Sequence, residues 1–365
     1  MATIAIIGAS IGQLPLCLKA KERKLTTICF AYEKGAVCKD VVDYFFPISI
    51  MDKERIVEIC RQYNVDGIIS NTSEITAQIS SYIAQELNLI GTPYEIISYF
   101  QDKSHVRIAT SNIDGLSQPI FYIYDGKIKD LFPCVIKPCV GSSKKGVSYV
   151  VNHNEFSNAL NYALQECDDI LVEQFVDGNE ISVECLSFKA DHYILQFTDK
   201  DSSGPPHFVE LGHHQPSQIN KGTKNKLCKI IPQILNSLGY TNGASHIEFK
   251  IKGDDIYLIE VNLRGGGDDI SNKLVLLSSG IDYLGSMIDV ALGNFKGFDV
   301  IHKPLYSGVY YLCKQTSELL PFFLSSVNQK WCIESKVYST ELENSLTNYN
   351  RNGYLIYQFD KKIIP

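Results

Sequence analysis

No stretch of this 365-residue chain holds the roughly 20 consecutive apolar residues that a bilayer-spanning helix needs, so no membrane partner is expected. Positive charge is not in surplus either: charged residues make up 21% of the chain and the net charge is -7. Without a basic stripe, nucleic acid is not an expected partner. The eleven cysteines form no C-x-x-C pair, and Cys17, Cys29, Cys60 and Cys185 sit inside apolar patterns. They read as buried free thiols in a reducing cytoplasm, not as disulfides or metal ligands. Residues 3–8 form a strand-like segment with no charged leader or cleavage site around it. No internal repeat or low-complexity tract interrupts the chain. Two phosphate-binding patterns are also missing. Gly8 and Gly12 do not make G-x-G-x-x-G, and residues 141–146 lack G-x-x-x-x-G-K-[ST] and lead into a strand.

What is present is a hydrophobic content of 45%, enough for two or three domains with cores of their own. Strand patterns at 3–8, 25–31, 42–47 and 65–70 alternate with helical spacing at 14–20, 51–63 and 75–87. That alternation predicts a parallel α/β sheet in a first domain. A helix is expected from Asp102-Lys103 to about Ala109, then strand material at 121–124 and 127–131 around the Asp125-Gly126 turn. A strand carries Lys137 beside Val135 and Ile136, and a loop of glycines, serines and lysines at 141–146 offers N–H groups and charge to phosphates. Residues 154–166 show an apolar helical stripe, and 170–176 and 180–187 read as strands. Residues 199–218 look irregular, as a binding or lid loop does. Helices are expected at 224–238 and 274–292, and strands at 306–311, 331–337 and 354–359.

The most informative stretch is 244–272. Ile247, Phe249 and Ile251 alternate up to a Gly253-Asp254-Asp255 turn, and Ile256, Leu258, Ile259 and Val261 run back, which predicts a hairpin. Glu260 and Asn262 share a face of the second strand, and pairing about the turn brings Glu248 within reach of Glu260. Two carboxylates and an amide oxygen suit Mg²⁺ that also holds phosphates. Arg264 follows at once, a cation placed for phosphate or a developing anion. Elsewhere, Glu173 and Glu180 flank a turn where one could accept from an adenine amino group and the other from ribose hydroxyls, with backbone groups of Phe175 and Val176 near a purine edge. Glu210 and His213 could clasp an ammonium or carboxylate. His213-His214 lacks a third soft ligand for zinc.

In this order, Lys103, Lys137, the 141–146 loop, Glu173 with Glu180, Glu248, Glu260-x-Asn262 and Arg264 resemble the ATP-grasp superfamily over roughly residues 3–298. His246-x-Glu248 and the run Glu260-Val-Asn262-x-Arg264-x-Gly266-Gly267-Asp268 look most like L-amino-acid ligases and related carboxylate–amine ligases. The resemblance implies an α/β fold with a Rossmann-like domain at 1–94 and a two-lobed ATP-grasp domain of antiparallel sheets at 95–300. A lid lobe at about 112–185 and a small C-terminal subdomain at 301–365 complete it. It implies ATP and Mg²⁺ as cofactors, with Lys103 and Lys137 on the α- and β-phosphates and Ser142 and Ser143 over the triphosphate. Glu173, Phe175 and Val176 would face adenine, and Glu180 the ribose. Glu248, Glu260 and Asn262 would hold the metal, and Arg264 the acyl-phosphate. Glu210 and His213 match a substrate-contacting Glu-x-x-His, and His246, Gly266, Gly267 and Asp268 would border the substrates.

The implied activity joins a carboxylate, of an amino acid for instance, to an amine. A bicarbonate-activating carboxylase or carbamoyl-phosphate type and a non-catalytic nucleotide-binding protein are the alternatives. Small molecules are the expected partners, and homodimers are common in similar enzymes. The chain departs from the family in two places. Leu263 stands where many relatives have proline, which loosens a backbone restraint. Asp268 stands where some dipeptide-forming members carry a bulky aromatic, which argues for a polar or cationic group on the substrate.

Overall fold

Short apolar runs separated by helices can pair side by side only through helical crossovers, and crossovers make parallel sheets. The chain begins this way in a computed structural model, which describes residues 1–141 and 144–365. Ser142 and Ser143, expected over the triphosphate, lie outside the described residues. Strands β1 (Thr3–Ile7), β2 (Thr26–Phe30), β3 (Tyr44–Phe46) and β4 (Gly67–Ile69) form a parallel sheet in the order β3-β2-β1-β4. Helices Lys53–Gln62 and Glu74–Glu86 bury Ile56, Ile59, Ile79 and Ile83 against one face of it. On the other face, Leu16 and Cys17 of helix Leu14–Glu22 join Ile4 and Ile6 in a core shared with Leu186 and Ala244 of a later sheet.

A second sheet is antiparallel: β5 (Phe121–Ile123), β6 (Cys134–Pro138), β7 (Ser148–Val150) and β8 (Ile170–Gln174), in the order β5-β8-β6-β7. Helix His153–Ala163 packs Phe156, Ala159 and Ala163 onto Tyr122, Ile136 and Val172. Residues 127–131 are not a strand. The partner of β5 is β8, not the segment after the Asp125-Gly126 turn, and residues 125–130 stay exposed.

The largest sheet has eight strands. They are β9 (Asn179–Phe188), β10 (Asp191–Ser202), β11 (Glu210–Gln215), β12 (Gly243–Lys252), β13 (Asp255–Asn262), β14 (Tyr306–Leu312), β15 (Cys332–Val337) and β16 (Gly353–Phe359). Their order is β13-β12-β9-β10-β11-β14-β16-β15 with antiparallel pairing throughout. Two expectations change here. Residues 199–218 are not one irregular loop, because β10 and β11 occupy much of the segment. Their buried residues include Lys200, Glu210 and His213, so no apolar alternation marks them. The expected helix at 274–292 is broken into a π-helical turn at Ile270–Leu274 and helices Val275–Ser279 and Tyr283–Ala291. The break falls at Gly280, whose φ is 76° and where a Cβ would lie 1.9 Å from the His302 carbonyl oxygen.

Helix Lys221–Ser237 covers one face of the large sheet, with Leu227, Ile230, Ile231 and Ile234 against Val183, Ile247 and Phe249. The strands of residues 301–365 continue this sheet through the β11–β14 pair. Among the described residues, no helix is long and apolar enough to cross a membrane.

Candidate active site

The hairpin expected at 244–272 is β12 and β13, and its register places Glu248 directly opposite Glu260 and His246 opposite Asn262. A bulge follows Glu248, so the strands pair on both sides of the carboxylates without a run of apolar residues between them. Among the described residues no three His, Cys, Asp or Glu side chains cluster tightly enough to hold a metal by themselves. Two facing carboxylates and the buried Asn262 amide fit a hard divalent cation that takes the rest of its shell from phosphate and water.

Cations surround the hairpin. Helix Lys103–Ala109 is capped by Asp102, whose carboxylate accepts from the Ser104 amide at 2.7 Å, and its first residue points to β13. Lys103 Nζ lies 3.4 Å from Glu260 and donates to the Gly141 carbonyl at 2.8 Å, so it touches both the hairpin and the loop expected over phosphates. One turn further, Arg107 is 2% exposed and donates to the carbonyls of Leu258 and Ile259 at 2.8 and 2.7 Å. Its Nε also reaches Glu173 at 2.6 Å, and Lys137 reaches the other oxygen of that carboxylate at 2.6 Å. Burial alone would raise the Glu173 carboxyl, but the two cations hold it down to about 2. Burial lowers the Lys137 ammonium against the pull of Glu173.

Glu173 was expected to face adenine, but its carboxylate is committed to this ion triad. The Phe175 amide is also taken, donating to the Pro133 carbonyl at 3.0 Å. What remains for a flat base is apolar surface. Val135 of the small sheet, Val147 just before β7, Phe175, Phe208 and Ile259 line one cavity of about 590 Å³ between the two antiparallel sheets. Tyr149 and Phe208 flank the Phe175 ring at 4.8 and 6.1 Å, and Lys250 lies 5.0 Å over it. Every described candidate except Gly266 lines this cavity, from Lys103 and Lys137 through Glu180 and Glu210 to Arg264 and Asp268. Ser10 and Thr72 of the parallel-sheet region close it from the far side.

Residues 131–273 match the model of the ATP-grasp domain, the segment that supplies β6, β7 and β8 of the small sheet and the β12–β13 hairpin. That segment is an ATP-grasp domain. It is 26% identical over 297 residues to the pyruvate carboxylase of Staphylococcus aureus, which covers 74% of this chain. The chain spans 25% of that enzyme's length. Its fold is shared with an L-amino acid ligase from Bacillus licheniformis at a TM-score of 0.81 and 22% identity, over 99% of this chain and 94% of the other. The biotin carboxylase domain of the Hydrogenobacter thermophilus 2-oxoglutarate carboxylase, solved with MgADP and bicarbonate, superposes at 0.73 with 17% identity. That likeness covers 99% of this chain and 87% of the other. At these identities the structures establish the fold.

At the far end of this cavity the charges are already paired. Arg264 donates from Nε at 3.0 Å to Glu74, the first residue of helix Glu74–Glu86, so the parallel-sheet region anchors the arginine. Gly266 does not border the cavity. A Cβ there would meet His246 Nδ1 at 2.8 Å and Glu184 at 2.9 Å, and its amide donates to Glu184 at 3.1 Å. His246 bridges Glu184 and Glu248, reaching the latter at 3.0 Å. Burial would lower its imidazole, but the carboxylates, Glu184 above all, raise it to about 9. His246 thus steadies Glu248, one of the two facing carboxylates.

Asp268 is not a free acid. Arg351 clamps both of its oxygens at 2.7 and 3.0 Å, His213 lies at 3.7 Å, and these partners overcome burial to hold the carboxyl far below the usual range. Arg351 in turn stacks 3.5 Å from the centre of the Tyr311 ring. Glu210 pairs with Lys144 at 2.7 Å and Lys200 at 3.3 Å, while its Oε2 and the Nδ1 of His213 are buried without a partner among the described residues. Sequence reasoning passed over Arg107, Lys200 and Arg351. Arg107 carried a signal, since it lies four residues after Lys103 and therefore on the same helix face. Lys200 and Arg351 carried none, because their partners come from distant segments.

Proposed function

We propose that the chain is an ATP-dependent carboxylate–amine ligase that works through an acyl-phosphate. What supports this is the meeting, on one cavity, of buried Lys137 and half-buried Lys103, a facing pair of carboxylates with Asn262, and Arg264 just beyond them. Lys103 and Lys137 would bind the nucleotide phosphates, and the apolar slot around Phe175 and Val135 would take the base. Glu248, Glu260 and Asn262 would hold Mg²⁺, which would draw charge from the nucleotide phosphates. An oxygen of the substrate carboxylate attacks the terminal phosphorus and ADP leaves. The amine nitrogen then attacks the acyl carbon, phosphate leaves and the nitrogen gives up a proton. Arg264, fixed by Glu74, would stabilise the oxyanion formed in that second attack.

The unpaired Glu210 Oε2 supports an amine as the acceptor, since a carboxylate oxygen takes hydrogen bonds and an amine supplies them. The similarity to pyruvate carboxylase favours a second reading, activation of bicarbonate. One experiment separates the two: ADP release from purified protein with Mg²⁺-ATP, set against pairwise mixtures of amino acids and against bicarbonate alone, with products weighed by mass spectrometry. The ligase reading expects ADP only when acid and amine are both present. Formation of AMP and pyrophosphate would sink it, and bicarbonate-dependent ADP without any amino acid would replace it with the carboxylase reading.

A further inference from the structure

The edge strand of the large sheet is β13, and helix Lys103–Ala109 lies beside it. Arg107 of that helix occupies the edge carbonyls of Leu258 and Ile259. Past them, from Glu260 to Arg264, the chain borders a recess of about 200 Å³. Its other walls come from helix Glu74–Glu86 and from the short helix Tyr94–Tyr99 with the residues that follow it. The lining is mainly apolar, with Ala77, Ile97, Phe100, Val106, Val261 and Leu263 around it. Phe100 and Leu263 are only half-buried, so an apolar group entering here would remove carbon surface from water on both sides. The rim is charged. Glu74, Lys103, Glu260 and Arg264 border both this recess and the 590 Å³ cavity, so the two spaces share a wall at the groups proposed for the phosphates, the metal and the oxyanion.

We propose that this recess takes the side chain of the acid that is activated, so that the donor substrate is a carboxylic acid with an apolar side chain of up to phenyl size. This rests on the ligase reading of the cavity. An acid that attacks the terminal phosphorus brings its carboxylate to the shared wall, with the reacting atoms about 3–3.5 Å apart. From there the rest of the acid has two directions. Toward β11 it meets Glu210, His213, Asp268 and Arg351, and an apolar chain laid on those groups would strip them of solvent without offering a hydrogen bond. Toward the recess it meets the apolar side chains of Ala77, Phe100 and Leu263. The size of the group follows from the volume. An apolar cavity of about 150 Å³ takes up benzene, so the recess of about 200 Å³ has room for a leucine, methionine or phenylalanine side chain. The two ends of the reaction thus differ in character: the donor is chosen by carbon, the acceptor by charge.

The test offers Mg²⁺-ATP and pairs of amino acids to the purified protein with hydroxylamine in place of the amine. Hydroxylamine attacks the acyl carbon of an acyl-phosphate and releases phosphate, so the hydroxamate formed names the acid that was activated. Two acids in one tube compete, and the masses of their hydroxamates give the ratio of their kcat/KM values. In wild type the ratio of leucine to alanine should be large, about fourfold for each methylene-sized group buried. Ala77→Phe, which fills the recess, should lower that ratio roughly tenfold. Phe100→Ala, which enlarges it, should raise tryptophan over phenylalanine by roughly the same factor. Hydroxamates in the same ratios in all three proteins, or a wild type that prefers alanine or an acidic side chain, would overturn the recess as donor site and leave the ligase reading standing. Hydroxamate from no acid at all would overturn the ligase reading, and the proposal with it. If Ala77→Phe proves unfolded by circular dichroism, Phe100→Ala decides, since it removes bulk where the other adds it.

Discussion

Glu173 is 4% exposed and holds the guanidinium of Arg107 and the ammonium of Lys137. Removing its charge leaves two cations facing each other in the interior, the arrangement in which a buried pair is most costly to break. Glu173→Gln is therefore expected to lower the unfolding free energy by roughly 3–5 kcal/mol at pH 7. The sign of its pH dependence follows from the direction of the shift. A carboxyl held to about 2 in the folded chain, against an ordinary value near ~4.3 when unfolded, contributes stability that is complete above about pH 4.3. That contribution is lost as pH falls through about 2. Urea melts of wild type and variant should differ most near neutrality and converge as the pH drops through this window. A gap that persists unchanged at low pH would mean that the carboxylate stabilises by shape and not by charge.

At the scale of elements, the strand β11 and the short segment that returns to it at 347–351 set the chemistry of the acceptor end. Asn348 accepts from the Glu210 amide at 3.0 Å, and Arg351 donates to the Glu210 carbonyl at 3.3 Å while clamping Asp268. The segment thus cancels the charge that Asp268 would otherwise present to a substrate. Arg351→Met should uncover it. In a panel of amines, the ratio of kcat/KM for acceptors with an extra positive charge over neutral ones should rise on the order of tenfold, as one partly screened ion pair would give. An unchanged ratio would mean that Asp268 does not face the acceptor.

The same elements explain what could be read in the chain beforehand. The β12–β13 hairpin was legible because Ile247, Phe249, Ile256 and Leu258 bury an apolar face while the glutamates mark the other. The alternation of helices and strands in residues 3–87 was legible for the same reason. Strands β10 and β11 were not, because their buried residues include Lys200, Glu210 and His213, which look like a solvated loop until partners from β9 and β12 are beside them. Period-two patterning detects a core, and a sheet that buries a polar cavity escapes it. The pairing of Asp268 was hidden similarly: its counter-charge lies 83 residues away, and only the folded sheet brings it near.

At the scale of the molecule, the eight-stranded sheet joins segments that the sequence divides. Residues 301–365 were expected to form a small subdomain, yet β14 pairs with β11 from Gly212 to Gln215, and β16 and β15 extend outward from it. The C-terminal core of Tyr310, Leu312, Phe323 and Leu355 therefore rests on the strand that carries Glu210 and His213. A segment hydrogen-bonded into the central sheet and clamped to Asp268 should not unfold on its own. The chain contains its own reporter, because its single tryptophan, Trp331, lies in this segment, stacked on Phe322 at 5.5 Å. In a urea titration, Trp331 fluorescence and far-ultraviolet circular dichroism should trace one transition with the same midpoint. Mg²⁺-ADP, by binding the folded form, should move both midpoints upward together. A tryptophan transition that comes earlier than the loss of secondary structure, or that ignores the nucleotide, would show that residues 301–365 fold apart from the sheet.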